Sequence, residues 1–152
     1  MSMFPPIPSG DNIKEVIKTA FDADLPVAGD WGYTQEEATI ISSNSHPMTQ
    51  LEHMLASMRT YIEMNMTLPE QARYGSINLN EINREQITNH TLIYDKVTYE
   101  VTAIQEDLYN AFIQEYKEGL GKEGFDISDH FSRRKEATLT REIIYWFELP
   151  LR

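Results

Sequence analysis

The chain holds four histidines and no cysteine, which confines its chemistry to imidazoles, hydroxyls, carboxylates and cations. Thiol nucleophiles, thiolate zinc sites, iron–sulfur clusters and disulfides are all excluded. His46 follows Ser42, Ser43 and Ser45, the residue types of a nucleophile and its base. A nucleophilic serine also needs an orienting group and a pair of oxyanion donors, and adjacency in sequence supplies neither. His46, Glu52 and His53 have ligand chemistry but not the i, i+4 spacing that turns two helical side chains toward one ion, and Pro47 lies between the histidines. Asp126, Asp129 and His130 lie closer together, yet they lack the alternating oxygens and closing glutamate of a calcium loop and read as a capped turn. No metal and no cofactor is expected.

Gly119-Leu120-Gly121-Lys122-Glu123-Gly124 matches the bare glycine pattern of a dinucleotide site. A working version follows a strand and opens a helix, so that helix N–H groups face the pyrophosphate. Here the predicted helix comes first, so the glycines read as its termination. The chain has neither a Gly-x-Ser-x-Gly elbow nor a phosphate-binding Walker loop, and no motif argues for catalysis.

Charge is more informative. With 24 acidic against 13 basic side chains, the formal charge is −11, which opposes nucleic-acid binding. The one basic run, Arg133-Arg134-Lys135, is expected to neutralise nearby acids. Glu100, Glu106, Asp107, Glu115, Glu118, Glu123, Asp126 and Asp129 are met within their own stretch only by Lys117 and Lys122. Such a surplus makes a negative field that steers basic partners. Trp31 and Tyr33 flank Gly32 in a turn, where aromatic side chains can anchor an interface. The predicted partner-binding set is therefore Trp31, Tyr33, Glu106, Asp107, Glu115 and Glu118.

These side chains need elements to position them. The proline-rich residues 1–10 read as an arm, with neither the basic start nor the apolar run of a secretory signal. Residues 11–152 read as one domain. Ile13, Val16, Ile17, Ala20 and Phe21 predict a helix over 11–23, opened by Asn12 and Glu15. Residues 34–43 mix a helix-like opening with the β-branched Thr39-Ile40-Ile41. Thr49 and Glu52 form a capping box for a helix over 48–65, with Leu51, Met54, Leu55, Met58, Ile62 and Met66 on one face. Asparagine-rich 75–89 reads as loop with one short helix near 80–87. Residues 90–103 read as a continuous or bulged strand, 105–118 as a helix burying Leu108, Ala111, Phe112 and Tyr116, and 125–139 as a linker. In the closing strand, Ile143, Tyr145, Phe147 and Leu149 face one way and Ile144 and Trp146 the other, so both faces are expected to be partly buried and the strand internal.

The order predicts an α+β fold, a single domain with a small, mainly antiparallel sheet covered by amphipathic helices. No apolar run is long enough to span a bilayer, and a cytoplasmic protein is expected. The leading functional expectation is a small acidic protein-binding protein, in its narrower form an inhibitor or immunity-type partner of a basic toxin or nuclease. The alternatives are a small enzyme or ligand-binding domain, with a pocket between helix and sheet served by His46, His53 or His130, and a homo-oligomeric structural subunit.

Overall fold

The computed structural model describes residues 4–10 and 12–150, so the first position of the predicted 11–23 helix lies outside the described residues. Helix α1, Ile13–Phe21, starts where the Asn12 side chain accepts from the Lys14 and Glu15 N–H groups. It ends at Asp22, whose φ of 52° is left-handed. Two short strands follow, β1 (Val27–Gly29) and β2 (Thr39–Ile41), so the β-branched half of residues 34–43 is extended and the rest is turn. Helix α2, Met48–Tyr61, continues into a π-helical turn, Ile62–Met66, and a 3-10 turn, Glu70–Ala72. Then come the long strands β3 (Tyr74–Asn89) and β4 (Leu92–Gln105), helices α3 (Glu106–Gly119) and α4 (Ile127–Ala137), and β5 (Leu139–Glu148).

The five strands form one sheet in the order β1-β2-β5-β4-β3, antiparallel except for the β2–β5 pair. With four helices this is an α+β fold. Strand β5 is internal, as its pattern predicts. Val97, Tyr99 and Val101 of β4 and Ile143, Tyr145 and Phe147 of β5 form one face of the main core, with Leu51, Leu55 and Met58 of α2 and Ile13 and Ile17 of α1. Alternation in the strands and i, i+3, i+4 spacing in the helices place these residues together.

Four expectations are corrected. Residues 75–89 are strand, not loop: β3 is an edge strand polar on both faces, and register shifts at Gly75/Asn78 and Glu81/Asn83 break the alternation that would have marked it. Residues 125–139 are mostly helix, because Asp126 caps α4 by accepting from the Asp129 N–H at 3.0 Å, and a helix polar on most sides carries little periodic signal. Glu52 closes no capping box; α2 begins after Pro47 without a side-chain cap, and Glu52 is fully buried. Helix α3 buries none of its residues fully: Leu108 and Ala111 are exposed, and Phe112 and Tyr116 half-buried.

Two glycines have steric rather than phosphate-binding reasons. A Cβ on Gly119 would enter the Phe125 ring, and one on Gly32, at φ +78°, would enter the Tyr145 ring and come 2.8 Å from the Trp146 carbonyl. The first closes the α3–α4 connection; the second lets the turn lie directly on β5.

Candidate protein-binding surfaces

Most of the ionisable groups with chemical potential are committed to one another inside the molecule. Arg59 on α2 lies with its guanidinium 4.3 Å from the Tyr33 ring centroid and 4.5 Å from that of Tyr145, donating to the Trp31 and Ile144 carbonyls. Buried Glu63, on the π-helical turn, accepts from the Tyr33 hydroxyl at 2.5 Å and from Arg141 at 3.0 Å. Burial and the Glu63 charge push the Tyr33 phenol well up. Tyr33 is half-buried and Trp31 only 3 % exposed, so the turn folds back over the core and Trp31 presents no anchor to a partner. This network joins the arm, through Ile7 N–H to Tyr33, to α2 and β5.

A second cluster joins α2 to the β3–β4 hairpin. Arg84 donates to Glu52 at 2.7 Å, Asp95 at 3.0 Å and Glu81 at 2.6 Å. Burial, and then the neighbouring Asp95 carboxyl, raise Glu52 to about 8 against the pull of Arg84. Among the described residues, the Glu52 Oε2 and the Tyr99 hydroxyl are buried without hydrogen-bond partners. His53 is exposed, and His46 shares a hydrogen bond with the Ser45 hydroxyl at 3.2 Å. Among the described residues no group of three or more acidic or imidazole side chains is placed to hold a metal.

The predicted acidic site on α3 is divided. Glu115 accepts from Arg133 and pairs with the buried His130 at 2.9 Å, and these hold its carboxyl down at about 2. Arg133 also binds Asp129 at 2.9 Å, so one member of the basic run does neutralise its neighbours. Glu106 is half-buried and accepts from Asn65 at 3.4 Å; Glu118 accepts from Gln114 at 2.7 Å; Asp107 is exposed. Trp31 and Tyr33 belong to the other network, so the six predicted residues do not form one surface. Grooves of about 560 and 550 Å³ open on the outer sides of α1 and α2, beside Met66 and Met54, and a smaller one of about 300 Å³ lies between the helices and the sheet, lined by Phe21 of α1, Met58 and Tyr61 of α2 and Ile77 of β3.

The sheet face away from the main core is the surface that sequence reasoning missed. Alternation puts Lys96, Thr98, Glu100 and Thr102 of β4 on it, beside Trp146, Ile144, Glu142 and Thr140 of β5 in register. Glu85 continues this face onto β3 opposite Lys96, and Glu148 lies opposite Tyr94. Ile144, on an internal strand, is 42 % exposed, so the outward face of β5, expected to be partly buried, is half-buried at Trp146 and open at its centre. Trp146 is half-buried, with the Lys96 ammonium 5.3 Å from its ring. Glu100 stands directly opposite Glu142, and among the described residues neither has an ion pair. Like charges so placed are destabilising. The readable signal was Ile144 and Trp146 alternating with glutamates along β5.

Compared with known proteins, the chain matches no family model, no curated protein and no solved structure.

Proposed function

We propose that the chain is a protein-binding protein and that the open sheet face takes a partner presenting cations around an apolar centre. The observation that carries this reading is the Glu100–Glu142 pair, unneutralised across two internal strands beside the exposed Ile144. A cation from a partner relieves that repulsion, while Ile144 and Trp146 supply apolar area at the middle of the contact. The surrounding acids, Glu85 and Glu148, extend a negative rim that accelerates encounter. In its narrower form, a carboxylate-rich face covering a basic, phosphate-binding site would inhibit a cytoplasmic nuclease or toxin.

The test is affinity capture from the source cell with three baits: the unaltered protein, a Glu100→Lys/Glu142→Lys variant and an Asp107→Lys/Glu118→Lys variant. The expected result is a basic protein held by the first and third baits and lost from the second. Capture that follows the α3 charges, or that all three baits share, refutes the sheet face as the working surface.

A further inference from the structure

Helix α4 carries a surface complementary to this face. Ile127 and Phe131 are 43 % and 47 % exposed, and with Arg134 and Lys135 they recur at i, i+4, i+7 and i+8. That spacing makes a single stripe, apolar at one end and cationic at the other, beside the buried His130 that faces α3. Arg133 is occupied by Glu115 and Asp129, but among the described residues neither Arg134, whose guanidinium lies 6.0 Å from the Tyr109 ring centroid and 5.5 Å from that of Phe131, nor Lys135 has an acidic partner. Eleven residues of helix span about 16 Å, shorter than the roughly 33 Å of the ten-residue strand β5, so the stripe fits within the sheet face.

The stripe does not cover the face of its own molecule, where Ile144 is 42 % exposed. A single residue, Thr138, connects α4 to β5, and it is fixed by its hydroxyl to the Arg134 carbonyl at 2.8 Å and by its N–H to the Lys135 carbonyl at 3.1 Å. Ile144 and Phe131 accordingly stay exposed in the same chain.

We infer that a second copy of this chain occupies the open sheet face with α4, each protomer giving its stripe to the other's sheet in a two-fold dimer. The inference rests on the reading of that face as a docking surface and places a second copy on it when no foreign basic protein is bound. Apolar Ile127 and Phe131 meet Ile144 and Trp146, and Arg134 and Lys135 meet the unneutralised Glu100 and Glu142. Two-fold symmetry makes this contact twice, which doubles the area buried. Net charge opposes association, since each copy carries −11. The centres lie about 30 Å apart, nearly four Debye lengths at physiological ionic strength, where the long-range repulsion is screened while the close contacts persist. At about 0.01 M salt the Debye length reaches about 30 Å and repulsion grows. Self-docking therefore weakens at low salt, whereas capture of a foreign basic protein strengthens.

Sedimentation equilibrium tests this on the full chain at low and physiological salt, with Glu100→Arg/Glu142→Arg and Arg134→Glu/Lys135→Glu variants checked for unchanged circular dichroism. The unaltered protein should dimerise, more tightly at physiological salt, and each variant alone should dissociate at least about tenfold more readily. Mixing the two variants should restore a heterodimer, because one contact is then unaltered and the other has its charges exchanged. A chain monomeric at all concentrations, a dimer indifferent to both variants, or a mixture that stays monomeric overturns the inference. None of these outcomes touches the docking reading itself, which fails only if capture of a basic protein survives Glu100→Lys/Glu142→Lys.

Discussion

Glu52 should make the stability of the fold depend on pH in a window where ordinary carboxylates are silent. Its side chain has no solvent exposure, and Arg84, Asp95, Glu81, Tyr99 and His53 surround it from β3, β4 and its own helix. Burial raises the carboxyl from 4.5 to about 8, with Asp95 adding to the rise and Arg84 opposing it. Between those values the folded chain keeps a proton that the unfolded chain has released, so stability is full below 4.5, falls as pH rises and levels off above about 8. Each pH unit is worth about 1.4 kcal/mol, and a window of about 3.5 units gives a loss on the order of 5 kcal/mol. Glu52→Gln preserves shape and cannot ionise, so it removes this slope. Urea titrations of both proteins at pH 5, 6.5, 8 and 9 measure it: the stability difference between variant and parent should shift steadily in the variant's favour up to pH 8 and then stay constant. A difference that is flat from pH 5 to 8 would refute the placement of Glu52 as a buried, proton-holding carboxyl.

Other perturbations probe the remaining features. Glu63→Ala leaves Arg59 and Arg141 facing a buried void and should cost about 3–5 kcal/mol in denaturant unfolding. Leu55→Ala should cost about 2–5 kcal/mol, and a loss below half a kcal/mol would mean that the α2 face is misplaced. Glu142→Gln removes the cross-strand repulsion and should stabilise the isolated protein by about 0.2–1 kcal/mol while weakening partner capture. A destabilised Glu142→Gln would show that the carboxylate serves the fold rather than a partner.

What was legible in the sequence is what periodicity encodes. Helices α1 and α2 and strands β4 and β5 bury one face each, and their apolar spacing located them. Strand β3 and helix α4 bury so little that their patterns resemble loop, even though a hairpin pairing and the Asp126 cap specify them. Residues such as Arg59 and Glu63 look like surface charges at helical spacing, and only three-dimensional contact with Tyr33 and Tyr145 makes them core. The candidate site was half visible. Acidic surplus and the outward turn of Ile144 and Trp146 could be read from the chain, but the opposition of Glu100 and Glu142 depends on a register that no single strand contains.

The central position of β5 also sets the order of events during synthesis. It is the last of the described elements to emerge, yet it divides β1-β2 from β3-β4 and is the only strand that joins them. Until it arrives, the β3–β4 hairpin can form by local pairing, but β2 has no parallel neighbour and the apolar side of β4 has an open edge. A nascent chain therefore carries two half-sheets with one vacancy between them, a state prone to capturing a strand from another chain. Filling that vacancy requires a contact spanning over a hundred residues, from Thr39 to Phe147, which makes completion of the sheet slow compared with formation of its pieces.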